Sequence, residues 1–330
     1  MSTHLESCDT GKSLSPDSGR SVSPVLERPK RWRRFMPLLV SVGLLVWLVY
    51  RISPQALVAA ASQLNCPRLC LVFSAMVLAL YLWDSVCLHW LFAEPGLPLS
   101  FSKVLRARGS SYAASAVNYE LGQGLVAWEL ARAQGTSLVS ALGRCLLLAA
   151  HDVAVLLTLG LAGSLLIDTT IARGIMGFCA IGLTVLIVVG LLAYFFPRWR
   201  HERRTIGGEH FWPRSWTWGR SLQLSGMRGI YYAIILAAVG VGLEVAPVPV
   251  GWQAVFGAVP VALLADGLPI SVSGLGTRET ALLSLIDAPQ PGALLAFSLI
   301  WSAVLMTGRL LIGLVHWWLL PAGMFGPAGP

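Results

Sequence analysis

The sequence predicts an all-α polytopic membrane protein with about six spanning helices and two broken re-entrant helical hairpins. Of its 330 residues, 55% are hydrophobic and only 12% are charged, whereas soluble domains have about 25% charged residues. Several continuous apolar runs approach the ~20 residues that a helix needs to cross ~30 Å of hydrocarbon. Because these runs do not alternate with a period of two, they disfavour a β-barrel.

The six expected spans follow the apolar runs in chain order. They cover residues 35–52, 69–92, 137–167, 174–196, 227–246 and 291–320. Together they predict one transmembrane domain over residues 31–325, with a first half at 31–167 and a second half at 174–320. We expect residues 1–30 to be a disordered cytoplasmic tail, because they are rich in Ser, Gly, Pro and Asp.

Two basic clusters set the expected orientation of these spans. One precedes the first span at residues 28–34, and the other lies in a polar loop at residues 197–220. Basic loops stay on the cytoplasmic side, so we expect both clusters and the N-terminus to be cytoplasmic. Because the net charge is +8, we also expect the basic clusters to contact anionic lipid headgroups. A nucleic-acid partner is not expected, because no basic stretch lies in a soluble domain.

Residues 100–133 predict the first hairpin. This segment is rich in small residues and also carries charges, so it is too polar for a lipid-facing span and too apolar for a free loop. Gly122 and Gly124 interrupt it. Because both basic clusters are placed inside, the segment must return to the side of the membrane that it left, which is what a re-entrant hairpin does.

Residues 251–287 predict the second hairpin, because they read as apolar, broken and apolar again. The two broken segments contain LGQGLVAWELAR and SGLGTRETALL, each a GxG pattern followed by a Glu that we expect to open a helix. Three spans per half would invert the second half relative to the first. Interrupted hydrophobic segments at corresponding positions are typical of transporters built from inverted repeats.

The glycines of the second hairpin predict an anion site. Gly274 and Gly276 permit a turn that a Cβ would hinder, and a half-helix that begins near Thr277 presents unpaired N–H groups and a partial positive charge. A lipid phosphate suits such an end. Arg278 adds a positive charge, and Glu279 would neutralise it when no ligand is bound. Alternatively, Arg278 and Glu279 lie at the interface and cap a helix in water.

Other ionisable residues inside apolar segments are candidates for the same groove, because such residues are usually functional. Glu129 and Arg132 lie one helical turn apart, so they either line the groove or form only a surface pair. Asp152 lies deep in the third span, and Arg144, two turns earlier, is a candidate partner. Further candidates are Arg309, which lies deep in the last span, and Asp84 and Asp266, for which a cavity and an interface are equally expected.

No cofactor or metal site is expected from the sequence. Cys66 and Cys70 form a lone CxxxC pair without a nearby His, and a GxxxxGK[ST] nucleotide-binding loop is absent. His151 and Asp152 are adjacent on a helix, so their side chains point about 100° apart and do not form a ready dyad.

The segment GLPISVSGLGTRETALLSL resembles the C-terminal signature of the flippase-like family that includes the transmembrane region of lysylphosphatidylglycerol synthetases. Pro269, Gly274, Leu275, Gly276 and the Arg278–Glu279 pair stand at the signature positions. The first-half motif is matched more loosely, by Gly122, Glu129 and Arg132. The usual Pro is missing there, and Trp128 stands where a Gly usually precedes the Glu.

The resemblance implies an inner-membrane protein that moves lipids between leaflets. In the family, an aminoacyl-transferase domain follows the membrane region of the synthetases. Only about ten residues follow the last predicted span, so we expect this chain to carry no such domain. The leading hypothesis is a lipid flippase whose groove binds the headgroup of a phospholipid or a polyprenyl-phosphate-linked lipid. A membrane-embedded transferase on a polyprenyl or glycolipid substrate, and an accessory subunit of a separate lipid-modifying enzyme, remain alternatives.

Overall fold

A computed structural model of the chain describes residues 36–93, 99–117, 119–166, 170–195, 205–206, 209–210, 216–246, 248–267 and 274–319. Eleven helices form in these ranges, and they confirm the all-α class: α1 (Met36–Ile52), α2 (Pro54–Gln63), α3 (Cys66–Phe92), α4 (Phe101–Val117), α5 (Tyr119–Gln134), α6 (Leu138–Ser164), α7 (Thr170–Phe195), α8 (Trp218–Val245), α9 (Trp252–Asp266), α10 (Thr277–Leu285) and α11 (Pro291–Leu319). Two two-residue strands, β1 (Thr205–Ile206) and β2 (Glu209–His210), pair antiparallel between α7 and α8.

Five of the described helices are long and apolar enough to cross a membrane: α3, α6, α7, α8 and α11. Helices α1 and α2 add a sixth span if the bent pair is counted as one. The expectation of about six spans is therefore confirmed. The sequence did not predict α2, which is bent by 86° from α1. Ser53 accepts a hydrogen bond from the N–H of Ala56 at this bend, and Pro54, which has no N–H, opens the new helix.

The main core lies between α3, α8, α9 and α11. Its largest members are aromatic: the Phe73 ring lies 6.0 Å from Trp301 and 5.5 Å from Phe297, centroid to centroid. A second core joins the end of α3 to α4, α5 and the start of α6. Most apolar side chains described in α7 are exposed, as expected of a helix that faces lipid.

Hydrogen bonds between helix ends show which termini meet. Gln134, at the end of α5, donates to the Phe92 carbonyl at the end of α3, at 2.8 Å. Arg220, in the first turn of α8, donates to the Ala93 carbonyl at 3.4 Å. We call this side of the molecule the Phe92 end. Helices α4 and α5 therefore start and finish near the end of α3.

Helix α9 begins, and helix α10 ends, at the end of the molecule opposite to the Phe92 end. Trp252, at the start of α9, donates to Glu244 at the end of α8, at 3.0 Å. Leu283, near the end of α10, lines a cavity with Ile52 at the end of α1 and Gly292 at the start of α11. The two hairpins therefore enter from opposite ends. Their re-entrant position in lipid and an inverted repeat stay predictions.

Two boundaries differ from the expectation. Helix α8 begins at Trp218 rather than near residue 227, so Arg220 belongs to a helix and not to the polar loop. Helix α4 ends at Val117 and α5 begins at Tyr119, so Gly122 and Gly124 lie inside α5. The expectation that this GxG forms the turn and that Glu129 opens a helix is therefore wrong. A Cβ at Gly122 would lie 1.8 Å from the Ser115 hydroxyl, so this glycine lets α4 and α5 pack closely.

The tail at 1–30, the basic cluster at 28–34 and the loop arginines Arg198, Arg200, Arg203, Arg204 and Arg214 lie outside the described residues.

Candidate functional site

The break between α9 and α10 depends on two glycines, as the sequence predicts. Gly274 has φ +72° and Gly276 has φ +88°, a region that side chains with a Cβ rarely adopt. A Cβ at Gly274 would lie 1.2 Å from Oδ1 of Asp266, and one at Gly276 would lie 2.7 Å from Cβ of Leu44. The turn is thus pressed between the end of α9 and α1.

Glu279 fastens this turn to α11. Its Oε2 accepts the N–H of Gly276 at 2.7 Å, which satisfies one of the unpaired donors at the start of α10. Its Oε1 accepts the hydroxyls of Ser302 at 2.6 Å and Ser298 at 3.3 Å. The side chain is 0% exposed, and these three donors offset the desolvation of its charge.

Arg278 is also buried, with a side chain that is 1% exposed. Its guanidinium lies 4.5 Å from the centroid of the Trp301 ring, and Nη2 donates to the Ser302 hydroxyl at 2.5 Å. Nη1 lies 3.9 Å from Oδ2 of Asp266, and Nε lies 3.8 Å from Oε1 of Glu279. Among the described residues, neither Nε nor Nη1 makes a hydrogen bond. Glu279 therefore caps α10, as the alternative interpretation expects, but both side chains are buried rather than in water.

Arg309, on α11, is a second cation that acts on the carboxylate of Asp266. It is half-buried near the middle of this span and interacts electrostatically with Asp266. Within the described part of the chain, its guanidinium makes no hydrogen bond or ion pair. Asp266 is the last residue of α9, and its side chain is 22% exposed. Asp266 lies beside Arg278 and interacts electrostatically with Glu279 and Arg309. We call these four residues the Arg278–Arg309 cluster.

A second set of buried charges connects four helices. Asp84 of α3 lies 2.5 Å from Nε of Arg108 of α4 and 2.5 Å from Nη1 of Arg228 of α8. Nε of Arg228 donates to Oδ1 of Asp152 of α6. We call these residues the Asp84–Arg228 network. Its two aspartates and two arginines sum to zero charge, which makes their burial tolerable.

The network corrects one predicted pair. The partner of Asp152 is Arg228, whereas Arg144 donates to the Phe92 carbonyl and to Oε1 of Gln134, each at 3.4 Å. Arg228 was not among the predicted site residues, although it is the second residue of the predicted span at 227–246. An arginine followed directly by an apolar run was the available signal.

Two tyrosines lie against the arginines of the network. The Arg108 guanidinium lies 4.9 Å from the centroid of the Tyr112 ring, and the Arg228 guanidinium lies 4.0 Å from the centroid of the Tyr231 ring.

The first-half candidates lie elsewhere. Glu129 is half-buried and accepts the Ser110 hydroxyl at 2.6 Å, which ties α5 to α4. Arg132 is exposed, and its guanidinium lies 5.7 Å from the centroid of the Trp128 ring. These contacts do not bring Glu129 or Arg132 to the Arg278–Arg309 cluster.

A cavity of about 590 Å³ opens where α1 and α2 meet the ends of α10 and α11. Small and apolar residues form most of its wall, with Arg51, Gln63 and Gln290 as polar members. The predicted site residues do not line it. Among the described residues, no group of three or more His, Cys, Asp or Glu is arranged to hold a metal ion.

The fold and its interior charges define a class: a multi-pass membrane protein with buried charged side chains beside a glycine turn that precedes α10. Residues 34–313 match the family described as the lysylphosphatidylglycerol synthase TM region. The chain belongs to this family, as the resemblance of its SGLGTRETALL segment implies. A comparison with curated proteins finds no match.

Proposed function

We propose that this protein moves a lipid with a phosphate-bearing headgroup between the leaflets of the inner membrane. The single observation that supports this function best is Arg309, a half-buried cation near the middle of α11 that makes no ion pair within the described residues. Asp266 acts on this charge without forming an ion pair, so a phosphate that binds the guanidinium directly would stabilise it further. The family to which the chain belongs is named for a lipid-modifying enzyme, which agrees with a lipid as the ligand.

The chemistry of the cluster suits a phosphate. Guanidinium groups bind phosphate oxygens through paired, charge-assisted hydrogen bonds, and Nε and Nη1 of Arg278 make no hydrogen bond among the described residues. The apolar tails would stay in lipid while the headgroup passes the broken span. The N-terminus and the Phe92 end would face the cytoplasm, and a separate lipid-modifying enzyme is a natural source of the substrate.

The first experiment compares headgroups in proteoliposomes. NBD-labelled phosphatidylglycerol and NBD-labelled glucosylceramide are each followed by dithionite quenching, with wild type and Arg309→Gln. We expect wild type to move the phosphate lipid faster than the neutral glycolipid. Arg309→Gln should slow the phosphate lipid about tenfold or more, because a hydrogen bond to a charged group contributes about 1.5–3 kcal/mol.

Matched variants separate this effect from a folding defect. Arg309→Lys keeps the charge and should retain an intermediate rate, whereas Arg68→Gln removes an exposed arginine of α3 and should behave as wild type. Equal rates for both lipids, or an Arg309→Gln variant as active as wild type, would contradict the proposed headgroup site.

A further inference from the structure

We propose that Asp266 is a proton-binding site and that one proton crosses the membrane with each lipid phosphate. This inference rests on the proposed function and adds the second transported species. Asp266 has a poorly compensated carboxylate: Oδ1 accepts no hydrogen bond from the residues that the structure describes, and Nη1 of Arg278 lies 3.9 Å from Oδ2. It is also the last residue of α9, where the partial negative charge of the helix end disfavours a carboxylate.

Asp266 and an incoming phosphate compete for the same cations. Its charged neighbours include Arg278 and Arg309, the two guanidinium groups that the proposed function assigns to the headgroup. A phosphate that binds them removes the partners of Asp266. A buried carboxylate without a cation is strongly disfavoured in the interior of a membrane protein and is neutralised by a proton.

The charge count of the cluster leads to the same result. Arg278 and Arg309 balance Asp266 and Glu279, so the cluster sums to zero without a ligand. A phosphodiester monoanion would leave one excess negative charge in the interior. Glu279 already accepts three hydrogen bonds, which stabilise its charged form. The proton is therefore taken up by Asp266, the more exposed of the two carboxylates.

The coupled step moves one proton and one anion together. On the loading side, hydronium gives a proton to Asp266 while the phosphate binds the guanidinium groups; one O–H bond of hydronium breaks, a carboxyl O–H bond forms, and water remains. On the releasing side, the phosphate leaves, the carboxyl O–H bond breaks, water takes the proton to form hydronium, and the carboxylate pairs again with Arg278. The cluster keeps zero charge throughout.

Other titratable groups surround this site. The electrostatic partners of Asp266 include Arg278 and Glu279 of α10 and Arg309 of α11. The other helices packed on α9 carry His151 and Asp152 in α6, and Arg228, Tyr231, Tyr232 and Glu244 in α8.

The test measures NBD-labelled phosphatidylglycerol, which has one phosphodiester anion, in proteoliposomes of fixed external pH. Inner-leaflet lipid that moves outward is detected by external dithionite, and the lumen is either at the external pH or more acidic. We expect the acidic lumen to speed outward movement by wild type several-fold. A pH-sensitive dye in the lumen should report proton loss in step with lipid movement.

Variants assign the proton to Asp266. The ratio of the two rates should fall to one in Asp266→Asn and stay above one in Asp266→Glu, which keeps a carboxylate. Asp287→Asn removes an exposed aspartate after α10 and should keep the wild-type ratio. If wild type moves lipid at a rate that does not depend on lumenal pH, and without proton movement, the proton-coupling inference is overturned while the proposed function stands. A full pH response in Asp266→Asn would have the same consequence. A wild type that moves no lipid at either pH would instead overturn the proposed function.

Discussion

At the scale of single residues, Gly274 and Gly276 show what a short motif reveals. A GxG in an apolar segment predicts a turn because glycine adopts positive φ without a Cβ clash, and both residues do so. The same pattern fails at Gly122 and Gly124, where the helix simply continues. A glycine also allows close helix contact, and sequence alone does not distinguish the two uses.

Replacing a turn glycine tests this difference. Gly276→Ala should lower the free energy of unfolding by about 1–3 kcal/mol, because a non-glycine residue is strained at this φ and its Cβ would meet Leu44. The Tm of the purified protein in detergent reports the change. Gly251→Ala is the control, since a Cβ there meets no atom within 4 Å. Equal Tm values for the two variants would contradict the strained turn.

Charged residues show the limit of sequence reasoning at this scale. Asp152 is buried and paired, but its partner is Arg228, which is 76 positions away on another helix, and not Arg144. Helical spacing suggests neighbours along one helix, so Arg144 was the available choice. The arginine of another helix that pairs with Asp152 is determined by how the helices pack. The sequence of one segment does not specify this packing.

At the scale of helices, length and hydropathy placed the spans well, since crossing a membrane requires a long apolar helix. Short α2 was missed because ten residues are too few for that signal. The start of α8 was missed because its first turns are polar. Polar turns still fold as helix when a side chain caps their free N–H groups. Here the Thr217 hydroxyl accepts the N–H of Arg220.

The Asp84–Arg228 network should fix the positions of α3, α4, α6 and α8. Arg108→Gln would leave Asp84 with one guanidinium partner, and breaking a buried ion pair costs about 3–5 kcal/mol. We expect a large fall in Tm in detergent. Arg106→Gln, on an exposed residue two positions earlier on α4, should change stability by less than about 0.5 kcal/mol. Similar Tm values for both variants would show that the network is not a structural tie.

At the scale of the whole molecule, the two hairpins open toward opposite ends, which predicts sidedness. Single cysteines replacing Ser102 and Thr136, at the Phe92 end, should react with a membrane-impermeant reagent from the cytoplasm. A cysteine replacing Gln290 should react only from the opposite side. These substitutions require a background without native exposed cysteines, Cys66 and Cys70 among them. Labelling of all three positions from one side would contradict the arrangement of both hairpins.

Lipid movement that depends on the broken span is tested most directly with Arg278→Ala and Glu279→Ala. Fluorescent phospholipid and polyprenyl-phosphate analogues are followed by dithionite quenching in proteoliposomes, after insertion and Tm have been checked for each variant. Arg278→Lys keeps the buried charge if the alanine variant is unstable. We predict that wild type moves at least one analogue and that correctly inserted variants lose most of this activity. A wild type that moves neither analogue, or inserted variants that retain its full rate, would contradict lipid translocation through this site.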